Sequence, residues 1–88
     1  MSEIIYTESF LEDMLQVREK HIEDAIFEAI ELLPFVPVLG SREVPAGLRR
    51  SFGAEARKIS VAPFDVIYVP VNEDDFLVLG LVHQRAAR

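Results

Sequence analysis

Apolar residues recur at spacings of three and four through the first third of the chain. The series comprises Phe10, Leu11, Met14, Leu15, Ile22, Ala25, Ile26, Ala29, Ile30 and Leu33. Acidic residues fall between its members, so the pattern predicts amphipathic helices. The polar cluster at residues 18–21 interrupts the series. We therefore expect two helices joined by a tight connection.

The two ends of this helical region carry their own signals. Residues 3–7 are strand-favouring, and the sequence Ser9-x-x-Glu12 is a capping-box pattern at the start of a helix. Pro34 and Pro37 disfavour further helix. The sequence therefore predicts a strand, two helices and then an extended connection over residues 34–48, with residues 48–52 as a short edge segment.

The last third reads as three strands. Residues 57–61 and 65–71 are rich in β-branched side chains, and residues 76–82 form a continuous apolar run typical of a central strand. Turns are predicted at Ala62-Pro63 and at residues 72–75. The expected class is α+β, in the order β-α-α-β-β-β with room for one more strand. A helical hairpin would pack on one face of a small, mainly antiparallel sheet.

Period-two alternation sorts the strand residues into two faces, if the turns have two and four residues. The core face would carry Arg57, Ile59, Val61, Phe64, Val66, Tyr68, Leu77, Leu79, Leu81 and His83. The second face would carry Lys58, Ser60, Asp65, Ile67, Val69, Phe76, Val78, Gly80, Val82 and Gln84. With no helix left to cover it, the second face would expose an apolar patch, a usual mark of an interaction site.

Three polar positions have both structural and chemical interpretations. Asp65 lies opposite Ser60 and diagonal to Lys58, which favours a cross-strand polar pair over a catalytic carboxylate. His83 ends a strand, where it is either hydrogen-bonded and solvated or a general base. His21 lies in the charged helical connection and is expected to face solvent.

Composition narrows the class of protein. The 88 residues correspond to one domain, half of them are hydrophobic, and no apolar run reaches the roughly 20 residues of a bilayer span. There is no cysteine, and no secretory leader pattern opens the chain. We expect a soluble protein of the cytoplasm that binds no membrane. Metal-ligand spacings, serine-nucleophile motifs and nucleotide-binding loops are absent, so we expect no metal and no cofactor.

The net charge of −6 argues against a protein that coats nucleic acid, but the charges are unevenly placed. Residues 1–40 hold nine carboxylates and two basic residues, whereas residues 41–88 hold six carboxylates and seven basic residues. A local positive site in the second half is therefore compatible with the acidic total. Its candidates, weighed against scattered solubilising charge, are Arg49, Arg50, Arg57, Lys58 and Arg85.

The whole pattern resembles the RelE/ParE superfamily of bacterial toxins, formerly grouped as plasmid stabilization proteins. The resemblance covers nearly the whole chain. It rests on the opening strand before Ser9-Phe10-Leu11-Glu12-Asp13, on Pro37 and Gly40, on the hairpin at residues 57–68 and on the ending His83-Gln84-Arg85. It implies a cytoplasmic toxin of a type II toxin–antitoxin system, neutralised by a cognate antitoxin protein. Its target would be DNA gyrase in the ParE branch or the ribosome in the RelE branch.

The RelE branch cleaves mRNA on the ribosome, and its site is where this sequence departs from the family. Lys58 matches one basic position and Arg85 another, but Asp65 stands where the RelE pattern has an arginine. No tyrosine follows Tyr68, so His83 is the remaining candidate for proton transfer. The ending is closer to ParE-like members, and the acidic balance departs from both branches.

Three hypotheses follow. The first is a ParE-like, protein-binding and non-catalytic toxin, or a degenerate non-toxic member. The second is a metal-independent endoribonuclease, an mRNA interferase, in which Lys58, Arg85 and His83 are the candidate catalytic residues. The third is a stand-alone dimerisation module that forms a homodimer through the exposed sheet face. The residues expected to bind a target or partner are Arg49, Arg50, Arg57, Lys58, Gln84 and Arg85.

Overall fold

The structure is a computed structural model that describes residues 3–36, 39–72 and 74–85. These residues contain a four-stranded sheet. The strands are β1 (Ile4–Tyr6), β2 (Arg57–Val61), β3 (Phe64–Val71) and β4 (Asp75–His83). They lie in the order β1-β4-β3-β2; β1 is parallel to β4 and the other pairs are antiparallel. The predicted α+β class and mainly antiparallel sheet are confirmed. Pro37 and Glu73, which belong to the predicted connection and turn, lie outside the described residues.

The predicted helical hairpin is present between β1 and β2. Helix α1 (Glu8–Asp13) continues into a 3-10 turn at Met14–Gln16, and α2 spans Lys20–Leu32. The cap of α1 is Thr7 and not the predicted Ser9, because the Thr7 hydroxyl accepts the Phe10 amide at 3.2 Å. None of the described helices has the length and apolar character needed to cross a bilayer.

The core lies between the hairpin helices and one face of the sheet. Phe10, Ile26 and Ile30 supply its helical side. They pack with residues that follow α2 or come from the strands: Leu33, Ile59, Phe64, Val66, Tyr68, Val78 and Leu81. Most of these side chains are fully buried, and at about 25 cal/mol per Å² their removal from water is the main stabilising contribution.

A β-bulge changes which residues of β4 belong to the core face. Ile67 pairs with Gly80 but the next residue, Tyr68, pairs with Val78, so Leu79 is the extra residue. The side chains before the bulge are therefore inverted relative to the prediction. Phe76 and Val78 lie on the core face, and Leu77 falls on the second face. Uniform alternation was wrong for this half of β4 because it allowed no inserted residue.

A third helix covers part of the second face. Residues 48–52 were expected to be an edge segment, but α3 spans Ala46–Phe52. The Phe52 ring lies so close to Gly80 that a Cβ there would be 3.0 Å from it. Ile67, on the same face, is fully buried. The prediction of an uncovered apolar second face assumed that no helix remained, so it fails where α3 lies, around Ile67 and Gly80.

The connection after α2 returns to the free edge of β2. Ser41 exchanges two backbone hydrogen bonds with Lys58, of 2.8 and 2.9 Å, and so adds a single bridge to the sheet. Next to it, Gly40 lies directly on the buried Tyr68 side chain, where any Cβ would overlap the phenol oxygen. The absence of a side chain at Gly40 therefore lets the connection cross Tyr68.

The contact between Gly40 and Tyr68 predicts a position-specific cost. Gly40→Ala should lower the free energy of unfolding by about 1–3 kcal/mol, because Tyr68 or the connection must move within a packed region. Gly47→Ala is the matched control: Gly47 is exposed within α3, where alanine should stabilise by about 0.5–1 kcal/mol. Urea unfolding measures both. An equal effect of the two substitutions would contradict the close approach.

Candidate functional site

The first polar cluster, here called the Lys58 cluster, lies on the second face at the end of the β2–β3 hairpin. Its centre is Asp65, which is only 3% exposed. Asp65 Oδ1 accepts hydrogen bonds from Ser60 Oγ at 2.9 Å and from Gln84 Nε2 at 3.2 Å, and its Oδ2 lies 3.8 Å from Lys58 Nζ. The predicted pairing of Asp65 with Ser60 and Lys58 is confirmed.

Lys58, the one lysine in the four described strands, is therefore paired with a buried carboxylate. The Lys58 side chain is 24% exposed and that of Asp65 4%, so water screens their attraction less than it does at the surface. Removing Lys58 would leave a buried carboxylate without its partner, and removing Asp65 would leave a half-buried ammonium group without its partner. A ligand phosphate at Lys58 would also meet the negative charge of Asp65. The geometry therefore favours a structural ion pair over an anion site at Lys58.

A second cluster, the arginine cavity, brings together basic residues from three parts of the chain. Arg42 comes from the connection, Arg49 from α3 and Arg57 from β2, and with Glu55 they line a polar cavity of about 170 Å³. Arg49 Nη2 donates to the carbonyl oxygen of Arg42 at 2.6 Å. Guanidinium groups bind carboxylates and phosphates, and three of them outnumber the one carboxylate of Glu55, so the balance of charge in the lining favours a small anionic group.

Arg57 links the arginine cavity to the core. Its strand partner is the buried Tyr68. Burial raises the pKa of the Tyr68 hydroxyl, and the Arg57 guanidinium partly opposes this by favouring the phenolate. The hydroxyl is therefore neutral near pH 7. The Arg57 guanidinium therefore lies beside a neutral phenol and not beside a phenolate.

The structure divides the predicted binding residues into separate groups. Lys58 and Gln84 meet in the Lys58 cluster, and Arg49 meets Arg57 in the arginine cavity. Arg50 is exposed on α3, outside both clusters as described. Convergence of all the basic residues at one point is therefore not observed. The sequence analysis did not select Arg42. Arg42 follows Ser41, whose bridge to β2 brings it to the cavity, and this bridge is visible only in the folded chain.

His83, the candidate for proton transfer, and Arg85 lie apart from Lys58. The His83 ring packs edge-on against Phe64, with centroids 5.4 Å apart, on the core face. Lys58 projects from the second face, so the two side chains lie on opposite sides of the sheet. Arg85 is exposed beyond the end of β4, and its amide donates to His83 Nδ1 at 3.1 Å. In the described part of the chain, no acidic or histidine cluster could hold a metal ion.

Exposed apolar residues lie mainly on the helical side. They are Ile5, Leu11, Leu15, Leu32, Phe35, Val36 and Leu39. Two groups of four residues, each with two glutamates and two apolar side chains, line shallow grooves. The α1 stripe consists of Glu8, Leu11, Glu12 and Leu15, and the α2 stripe consists of Glu28, Glu31, Leu32 and Phe35. The sequence reasoning placed the exposed apolar surface on the sheet, but the structure places most of it on these helices.

No protein-family model matches the sequence, and no curated protein gives a significant match.

Because the Lys58–Asp65 pair is largely buried, breaking it should cost more stability than the distance of 3.8 Å between its charged atoms suggests. Lys58→Met should lower the free energy of unfolding by about 1–3 kcal/mol, because Asp65 loses its cation while buried. Lys20→Met is the control: Lys20 lies closer to its partner Asp24, at 3.0 Å, but its side chain is 78% exposed. Its cost should stay below about 1 kcal/mol. Denaturant unfolding compares them, and a larger loss for Lys20→Met would refute the structural role of Asp65.

Proposed function

We propose that the protein is a toxin-like component of a type II toxin–antitoxin system that acts by binding a target protein, in the manner of ParE, without catalysis. A non-toxic descendant that keeps the binding surfaces is the milder form of the same proposal. Its partner is a cognate antitoxin and its target class is DNA gyrase. The order β-α-α-β-β-β, with one additional short helix, is compatible with the resemblance seen in the sequence.

The observation that carries the non-catalytic part is the Lys58–Asp65 pair. A metal-free ribonuclease must stabilise the charge that grows on the scissile phosphate and must move two protons. Here the carboxylate of Asp65 lies 3.8 Å from Lys58 Nζ and opposes phosphate at that point. His83, the candidate acid or base, is on the opposite face. These placements favour binding over strand cleavage.

Two surfaces support the protein-binding part. The arginine cavity offers guanidinium groups from Arg42, Arg49 and Arg57 to a carboxylate of a target. The helical side exposes large apolar residues, including Leu15 at 83% and Phe35 at 81%, and apolar residues grouped in this way are typical of interaction surfaces. A homodimer through the second face, the third hypothesis, has less support because Phe52 lies over Gly80 there.

The proposal predicts a growth phenotype that depends on the arginine cavity. Induced expression of the chain in bacteria should slow growth, and co-expression of the product of the adjacent open reading frame should restore it. Arg49→Glu should relieve the defect because it reverses charge in the cavity. Arg50→Glu, one residue along α3 and exposed, is the matched control and should remain toxic.

Growth curves and pull-down of the co-expressed pair measure these outcomes. Normal growth on expression alone, together with no complex between the two proteins, would overturn the proposal. Complex formation without any growth defect would support the non-toxic descendant instead.

A ribosome-dependent mRNA interferase is the second candidate, and the arginine cavity is the observation that favours it, since guanidinium groups also hold RNA phosphates. In this case mRNA on translating ribosomes should be cut in the A site. Lys58→Ala should reduce cutting because it removes a contact to the phosphate, and His83→Ala should reduce it by at least about 100-fold, the usual contribution of a general acid or base. Toe-printing detects the cut. Equal cutting by both variants and the parent would remove these residues from the mechanism.

A further inference from the structure

We propose that the α2 stripe is the docking site for a cationic amphipathic helix supplied by the protein partner. The inference rests on the proposed function, because it names the chemistry of the partner and the surface it covers. The stripe consists of Glu28, Glu31, Leu32 and Phe35, and these four residues line one shallow groove of about 380 Å³.

The spacing of these residues fits a helix in a groove. Their positions differ by three, four and seven, so they form one line along α2 and the turn that follows it. Seven residues of helix rise about 10 Å, which is the length of two turns of a partner helix. Apolar anchors on a partner at the same spacings would contact Leu32 and Phe35 in register.

The apolar part of the stripe is unusually open for side chains of this size. Leu32 is 47% exposed and Phe35 is 81% exposed. Backbone hydrogen bonds run from the amides of Phe35 and Val36 to the carbonyl of Leu32 and from the amide of Leu39 to the carbonyl of Val36. They keep two further exposed residues, Val36 and Leu39, close to the end of α2. An aromatic side chain at the centre of such a surface is typical of a dominant binding contact.

The negative charges of Glu28 and Glu31 indicate which kind of partner the stripe can bind. In the described part of the chain, neither Glu28 nor Glu31 takes part in an ion pair. A second copy of the chain on this surface would place these carboxylates against each other, and an anionic nucleic acid or lipid surface would be repelled in the same way. Lysine or arginine beside apolar residues provides the complement. The stripe therefore favours a basic amphipathic helix.

The α1 stripe provides an internal comparison. It has the same spacing, from Glu8 to Leu15, a groove of about 360 Å³ and a side chain, Leu15, that is 83% exposed. It lacks the aromatic residue and the apolar extension at Val36 and Leu39. A change at Leu15 therefore controls for general loss of exposed apolar surface.

Binding of a defined probe tests the surface itself. The probe is a fluorescent peptide of about 18 residues, long enough to form a helix, with leucines at the spacings of the stripe and lysines beside them. A second peptide carries glutamate in place of every lysine. Anisotropy titration should show binding of the lysine peptide at least about tenfold tighter than the glutamate peptide, and binding should weaken with salt.

Single substitutions then locate the probe. Phe35→Ser should weaken the lysine peptide at least about tenfold, and Glu31→Lys should weaken it to a similar extent. Leu15→Ser should leave its affinity within about twofold. Because Phe35 and Leu15 are both more than four-fifths exposed, both serine variants should keep the parent thermal unfolding midpoint. Unchanged affinity in Phe35→Ser, or an equal loss in Leu15→Ser, would overturn the inference.

The same variants separate this inference from the proposed function. If the adjacent gene product binds the parent chain and Phe35→Ser equally, the toxin–antitoxin proposal stands and the α2 stripe is not the docking site. If that product does not bind at all while the lysine peptide binds through Phe35 and Glu31, the α2 stripe is a docking site, but the proposal that the adjacent gene encodes the partner is wrong.

Discussion

The position of α1 depends on hydrogen bonds to the edge of β4 that β1 leaves unpaired. β1 has only three residues, so the amide of Leu81 has no strand partner on that side and donates instead to Asp13 Oδ2 at 3.0 Å. Thr7 ties the start of the same helix to the Val78 carbonyl through its amide and its hydroxyl, at 3.2 and 2.8 Å. Both ends of α1 are thereby fixed to the central strand. Phe10 then points into the core, and the opposite side of α1 must face outward.

The charges of the molecule are also unevenly distributed. The helical region holds most of the carboxylates, whereas the connection, α3 and β2 hold the arginines that meet in one cavity. Lys58 is excluded from that positive surface because Asp65 matches its charge on the second face. The protein therefore offers a cationic cavity and acidic helical grooves as separate surfaces. By charge alone, the two surfaces would attract binding partners of opposite sign.

The strands and helices that follow a simple period could be predicted from the sequence. The hairpin of β2 and β3 was predicted nearly to the residue, since a two-residue loop leaves little freedom in the register. The break between α1 and α2 was visible as an interruption of the apolar series. The errors occurred where one added residue or one competing side chain decides the outcome. The bulge at Leu79 inverted Phe76 and Val78, and Thr7 replaced Ser9 as the cap of α1 because it also binds β4.

The sequence by itself determined the α+β class, the hairpin, the core face of β3 and the cross-strand partners of Asp65, because each of these follows from local periodicity. The tertiary structure alone decided which surface is open. Gly80 has no side chain, so Phe52 can lie over the second face, and the exposed apolar residues are then found mainly on the helices. It also decided which arginines meet, because Arg42, Arg49 and Arg57 are brought together by the Ser41 bridge and by α3. Contacts between segments distant in the chain have no local period, so no pattern in the sequence could reveal them.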